Sequence, residues 1–168
     1  NAKSYISINS LDDLSKIENL YDKKLLILGA GTNVILDNYF DGTVIKVQLT
    51  DIEIHEDYVS VGGGVDWAQL IEYCLVNGLY GIENLTHIPG SVGAAPVQNI
   101  GAYGVEISSF IKNIECFNLK TKKLETLNND QCKFGYRNSI FKSKDFIILK
   151  VNFVFKKSFQ PNLSYPSL

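Results

Sequence analysis

Apolar and polar positions alternate over short stretches along most of this chain, which predicts many strands and few helices. Ser4–Ile8 alternates and predicts a strand. Ser10 is placed to cap a helix over Leu11–Leu20, where Leu11, Leu14, Ile17 and Leu20 share one face. The apolar run Lys24–Leu28, then Thr43–Leu49, Ile52–His55 and Tyr58–Val61, predict further strands, with Glu56 and Asp57 turning a hairpin. Residues 1–62 therefore form a first lobe of β-α-β-β-β order. Gly62-Gly63-Gly64 predicts a hinge or linker. A second lobe, residues 65–160, opens with a helix starting near Asp66. Trp67, Leu70, Ile71, Cys74 and Leu75 lie along its inner face, and Gly78 stops it. Strands follow at Ile111–Leu119 and Lys123–Leu127, joined by a turn at Lys120–Lys122. A short helix over Asn129–Lys133 comes next, then a strand at Phe146–Phe155 whose alternation is only partial.

One stretch fits neither period. Ile88–Gly104, IPGSVGAAPVQNIGAYG, holds Gly90, Gly93, Gly101 and Gly104 with Pro89 and Pro96, and no Asp, Glu, Lys or Arg. Solvent-exposed loops are usually polar. Glycine permits positive φ and lets another group approach the main chain closely. The segment reads as backbone pressed against something buried, whether protein core or ligand. A long buried irregular segment must find partners for its backbone polar groups.

Composition narrows the classes. The chain is 168 residues long, 45% hydrophobic and 20% charged, with a net charge of −2. That balance gives no electrostatic case for nucleic acid or for an anionic membrane. No apolar run reaches the roughly 20 residues that span a bilayer. Cys74, Cys116 and Cys132 are isolated, as are His55 and His87, so no zinc-ligand spacing exists. These features predict a reduced, cytoplasmic protein with no nucleic-acid partner and no membrane insertion, and leave the oligomeric state open. No Met is present, and the chain stops at Ser167-Leu168 without a closing element, so a portion of a longer protein is expected.

Gly29-Ala30-Gly31-Thr32-Asn33 follows a predicted strand, and its N–H groups can form a nest for phosphate. Val34 stands where a Rossmann fingerprint wants Gly or Ala, and no Lys follows Gly31 as a Walker loop requires. Paired with Ile88–Gly104, the loop predicts a clasp for an extended dinucleotide, one element holding pyrophosphate and the other a ring. Arg137 is the only arginine among sixteen basic residues, and arginine's planar fork suits a carboxylate. His87 is expected to be a hydrogen-bonded structural histidine and His55 an exposed one. The cysteines are expected to be small buried apolar residues.

Four motifs occur in order: LGAGTNVIL (Leu28–Leu36), GIENLTHIPGSVGAAPVQNIGAYGVE (Gly81–Glu106), CKFGYRNSIFK (Cys132–Lys142) and QPNLSYPSL (Gln160–Leu168). Together they resemble the flavin-binding half of the UDP-N-acetylenolpyruvoylglucosamine reductase (MurB) family of peptidoglycan synthesis. The second and third are long and specific; the first is generic. The resemblance implies an α+β, two-lobed FAD-binding fold of the vanillyl-alcohol oxidase and p-cresol methylhydroxylase type. It implies noncovalent FAD, with NADPH as a transient hydride donor. The implied substrate is an enolpyruvyl ether of a UDP-sugar, which receives hydride at C3 and a proton at C2 to give UDP-N-acetylmuramate. Matched residue by residue, it places Leu28, Gly29, Ala30, Gly31, Thr32, Asn33, Pro89, Gly90, Gly93, Ala94, Ala95, Gln98, Asn99, Gly101 and Gly104 at the cofactor. It places Tyr103, Tyr136 and Tyr165 near substrate, and Arg137 at the substrate carboxylate as the catalytic cation. A fixed cation there stabilises the charge that develops during hydride addition.

The pattern departs from the family in places. Thr32 replaces a usual Ser, keeping the hydroxyl. Ala94 and Ala95 lack hydroxyls that some members carry. The family's proton-donating Ser and second catalytic acid, a Glu, belong to a substrate domain expected to follow residues 161–168. By this reading the chain binds FAD without completing turnover. The alternatives are an FAD-dependent oxidase of the same fold and a noncatalytic flavin- or nucleotide-binding module.

Overall fold

The computed structural model describes residues 1–18, 20, 24–143, 145–163 and 165. Two sheets carry the fold. β1 (Ala2–Ile8), β2 (Leu25–Ile27) and β3 (Phe40–Val47) form a three-stranded sheet in the order β1-β3-β2, with both pairings parallel. Parallel neighbours need a crossover. Between β1 and β2 it contains a 3₁₀ turn at Leu11–Lys16, where the sequence predicts a helix over Leu11–Leu20. Asp13 explains the tight start. Its carboxylate accepts from the N–H groups of Asn9 (2.8 Å) and Ser10 (3.1 Å) and pairs with Lys16. Leu14 and Ile17 are buried as expected, but Leu11 is 52% exposed. Asn19 and residues 21–23 lie outside the described residues.

β4 (Ile52–Ile54), β5 (Val59–Gly62), β8 (Ile111–Asn118), β9 (Lys123–Asn128) and β10 (Phe146–Phe153) form an antiparallel sheet in the order β4-β5-β10-β8-β9. The hairpin expected at Glu56-Asp57 is closed by His55 N–H donating to the Tyr58 carbonyl, 2.8 Å. This sheet corrects the lobe division at residue 62. β4 and β5, expected in the first lobe, pair into the second sheet, because β5 adds to β10 from Val59–Phe153 to Gly62–Lys150.

Gly62–Gly64 is likewise a packed junction, where the sequence predicts a linker. A Cβ on Gly62 would stand 2.2 Å from the Leu49 carbonyl oxygen, on Gly63 2.8 Å from that of Ile148, and on Gly64 2.7 Å from Gln48 Cα. Their N–H groups donate to Asp51, Leu149 and Leu49 in turn. Three glycines let the chain pass between two other backbones at hydrogen-bonding distance.

β10 explains its own uneven alternation. A bulge between Ile148 and Lys150 inserts one residue against β8. Ile147 before it, and Leu149 within it, face the three-stranded sheet, in a core with Ile8, Leu14, Ile17 and Ile45. Ile148, and beyond the bulge Val151 and Phe153, face the larger core around Trp67, Leu70, Leu85 and Val92. One strand thus serves both cores. α1 (Trp67–Val76) packs on the larger core. Asp66 caps it by accepting from the N–H groups of Ala68 (2.9 Å) and Gln69 (3.2 Å), and Gly78 leaves it at φ +67°. Leu75, expected on the inner face, is instead 44% exposed. The helix predicted over Asn129–Lys133 is a 3₁₀ turn at Asp130–Cys132. No helix among the described residues is long and apolar enough to cross a membrane.

Candidate functional site

The glycine-rich segment is largely irregular and is hydrogen-bonded to the core at several points. It contains a 3₁₀ turn at Val92–Ala94 and a small hairpin of β6 (Gly101–Ala102) and β7 (Val105–Glu106). Its backbone partners lie on the junction and on α1. Val92 N–H donates to Val65, Gly93 N–H to Gly63, and the Gly90 carbonyl accepts from Trp67 N–H at 3.0 Å. Ile100 N–H donates to Ala95, and Ile107 N–H to Ile100. This is how an apolar segment without regular structure satisfies its polar backbone.

The other wall is the loop after β2. Leu28 N–H still donates to Ile45 of β3. The N–H groups of Gly29, Ala30, Gly31, Thr32 and Asn33 then make no hydrogen bond to another described residue. The loop closes on the glycine-rich segment. A Cβ on Gly29 would come within 3.0 Å of both Ala94 Cβ and Ser91 Oγ. Thr32 Oγ1 donates to the Pro89 carbonyl, 3.2 Å, and Asn33 Nδ2 donates to Gln98 Oε1, 3.3 Å.

Between these walls lie two adjoining cavities. One, about 320 Å³, is bounded by the whole loop Leu28–Asn33 and by Trp67, Pro89, Gly90, Ala94, Ala95 and Gln98. The other, about 210 Å³, is mostly apolar and is bounded by Leu26, Val47, Gly93, Phe141, Phe146 and Ile148. Gly29, Ser91, Ala94, Val97 and Lys142 border both. The two glycine elements thus border one cleft. Its chemistry suits a dinucleotide: unspent N–H donors for phosphate, apolar walls for rings, and an amide at Gln98.

Other expected cofactor residues sit differently. Asn99 is fully buried at φ +45°. Its Nδ2 donates to Glu106 Oε2 (3.0 Å) and the Gly135 carbonyl (3.2 Å), and its Oδ1 accepts from Ser108 N–H (3.0 Å). That amide ties three segments together and borders neither cavity. Gly93 is glycine because a Cβ would meet the Gly63 carbonyl oxygen at 2.9 Å. Gly101 and Gly104 lie beyond the cavities, in the β6–β7 hairpin.

That hairpin carries the expected substrate residues. Tyr103 (φ +49°) and Gly104 (φ +76°) are its two turn residues, a pairing that favours tight, twisted hairpins. Tyr103 meets Tyr165 edge-on, with ring centroids 5.8 Å apart. Ser164 and residues 166–168 of the fourth motif lie outside the described residues. Tyr136 and Arg137 form the tip of a turn closed by reciprocal bonds between Gly135 and Asn138, both 3.0 Å. Arg137 sits at φ +51°, its guanidinium 5.5 Å from the Tyr136 ring centre, and Nη2 donates to the Gly101 carbonyl at 2.6 Å. Tyr136 is 84% exposed. Arg137, Tyr103 and the Gly101 carbonyl therefore gather at the end of the segment that walls the cleft.

Lys142 is the site residue the sequence reading passes over. It ends the CKFGYRNSIFK motif and shows no periodicity signal. The histidines and cysteines stay outside the chemistry. His87 is exposed at φ +69°, and among the described residues its ring has no hydrogen bond, against the structural bond expected of it. His55 is exposed and stacks on Tyr58. Burial pushes the thiols of Cys74, Cys116 and Cys132 up to about 12, so all three are inert at neutral pH.

Comparison with known proteins gives the same reading. The FAD binding domain model matches residues 4–125. A UDP-N-acetylenolpyruvoylglucosamine reductase of Pseudoalteromonas translucida is 43% identical over 99% of this chain and 51% of its own length. That of Shewanella sediminis is 43% identical over 97% of this chain and 50% of its own. The chain spans about half the length of these curated relatives. The crystal structure of UDP-N-acetylenolpyruvylglucosamine reductase (MurB) from Thermus caldophilus superposes with a TM-score of 0.77 at 24% identity, covering 92% of this chain and 56% of that one, and shows the shared fold. With that family model matched over most of its length, this chain belongs to the FAD binding domain family.

Proposed function

We propose that this chain is the flavin-binding part of an NADPH-dependent reductase acting on the enolpyruvyl ether of a UDP-amino sugar, giving UDP-N-acetylmuramate. FAD, when bound, supplies the hydride chemistry. The chain's own residues bind and orient it. The free N–H groups of Gly29–Asn33 would hold phosphate, and the amide of Gln98, held in place by Asn33, would read a ring edge.

The observation that carries the reading is the placement of Arg137. The chain's only arginine is tied by a 2.6 Å bond to the Gly101 carbonyl, directly beyond the cleft wall. One nitrogen spent on Gly101 fixes the guanidinium, leaving donors for a carboxylate. A cation preorganised in this way lowers the barrier where charge builds on the enolpyruvyl carboxylate. Tyr103 and Tyr136 flank that position from the two turns.

The test is Arg137→Ala in the intact protein. NADPH-dependent reduction of the enolpyruvyl substrate is expected to fall by about a hundredfold or more, with flavin content at 450 nm unchanged. Equal loss of flavin and turnover would make Arg137 structural. Oxygen consumption without need of the enolpyruvyl substrate would identify an oxidase instead.

A further inference from the structure

We propose that Lys142 is the electrostatic anchor for the diphosphate of the bound dinucleotide, set at the waist between its two ring-binding cavities. This rests on the FAD reading of the cleft. Three observations carry it. Lys142 is the only charged residue bordering either cavity among the described residues, and it borders both. Its ammonium makes no ion pair or hydrogen bond to another described residue. Other described lysines, Lys46, Lys122, Lys123, Lys133, Lys156 and Lys157 among them, also lack a side-chain partner, but none of them borders either cavity. The third observation is the rigidity of its base.

Lys142 closes a 3₁₀ turn, Ile140–Lys142, that is pinned to the cleft wall. Ser139 is buried. Its hydroxyl donates to the Val97 carbonyl at 2.8 Å and accepts from Phe141 N–H at 3.2 Å. Phe141 is buried against Phe146, edge-on at 5.7 Å between centroids. The backbone carrying Lys142 is thus fixed to the segment that walls the cavities, while its exposed side chain reaches their shared border.

A flavin adenine dinucleotide has two ring systems joined by a doubly charged diphosphate. The cleft has two cavities joined at a border that holds one unpaired cation and also Gly29 with its free N–H. The diphosphate belongs at that border. The mostly apolar cavity by Phe141, Phe146 and Ile148 then takes the adenosine end. The cavity by Gln98 and Ile100, the residue before the Gly101 carbonyl that holds Arg137, takes the isoalloxazine end.

The test is FAD titration of the intact, flavin-stripped protein, followed by flavin fluorescence, for the wild type, Lys142→Gln and Lys142→Arg. A charged hydrogen bond lost to Gln is expected to raise Kd by about tenfold to a hundredfold. The wild-type Kd should also rise with salt, and that dependence should flatten in Lys142→Gln. Lys142→Arg should stay within about threefold of wild type, and flavin-free Tm should be the same in all three proteins. Unchanged FAD affinity in Lys142→Gln would overturn the assignment. So would an affinity loss matched by a fall in flavin-free Tm, which would mark a structural lysine. A wild type that takes up no FAD would instead overturn the reading of the cleft itself.

Discussion

Residues 62–64 and residues 29–31 are both dense in glycine, and the structure uses glycine oppositely in the two. At Gly62, Gly63 and Gly64 an added Cβ would strike backbone at 2.2, 2.8 and 2.7 Å. The space is already filled by the β3–β4 connection and β10. At Gly31 an added Cβ would meet nothing within 4 Å, and at Gly90 only Thr32 Oγ1 at 4.0 Å. Positive φ accompanies the open positions, +78° and +149°, and none of the junction glycines. Glycine density marks a main chain without side-chain bulk, but the space beside it is filled by protein in one region and left open along the cleft in the other. Gly29 and Gly93 stand between these extremes, since each touches protein on one side and the cleft on the other.

The largest effect expected from this contrast is at the junction. Gly62→Ala forces a methyl group into the Leu49 carbonyl and should cost about 3 kcal/mol or more. Urea unfolding of the flavin-free protein measures it, and a loss below about 1 kcal/mol would mean that the junction yields. Asn99→Ala comes next. Removing a buried amide leaves Glu106, Gly135 and Ser108 short of partners, for about 2–3 kcal/mol. Stability should fall even without flavin. If only flavin affinity fell, Asn99 would belong to the cofactor after all.

Gly31→Ala should cost only about 1 kcal/mol of flavin-free stability, the penalty of a positive φ. FAD should then raise Tm less in this variant than in the wild type, because the methyl occupies cleft space. Equal FAD-induced shifts would place the phosphates elsewhere.

The smallest effect lies far from the cleft, at Asp13. Bonds from Lys16 and from the N–H groups of Asn9 and Ser10 hold its carboxyl down from 3.8 to about 2. A folded value below the unfolded one stabilises above about pH 4, and that contribution is lost as pH falls toward 2. Asp13→Asn should therefore lower Tm slightly at pH 6, and the gap to wild type should close by pH 2. A constant gap would mean that the carboxylate's charge does not matter.

Much of this was legible in the chain itself. Strand positions follow from alternation because a half-buried sheet face imposes a period of two. α1, its Asp66 cap and its Gly78 exit follow from helical spacing and end chemistry. Ile88–Gly104 could be picked out because loops without charge seldom face water, and Gly29–Asn33 because a glycine-rich turn after a strand offers its N–H groups. The misreadings share a cause. Residues 11–20 have helical spacing, yet Asp13 binds the preceding N–H groups and the turn winds as 3₁₀. β10 alternates only partly because a bulge, invisible locally, turns its faces over midway.

The sequence by itself determined the local elements, the family pattern and the residue types available to a flavin and a carboxylate. Each of these depends on chemistry within a few residues. Only the tertiary structure decided which glycines meet backbone and which meet a cavity. It turned the expected linker into a junction and sent β4 and β5 to the second sheet. It also committed Asn99 to the core and brought Lys142 to the cleft. Those outcomes depend on what lies across the gap from a residue, and residues far apart in the chain supply it.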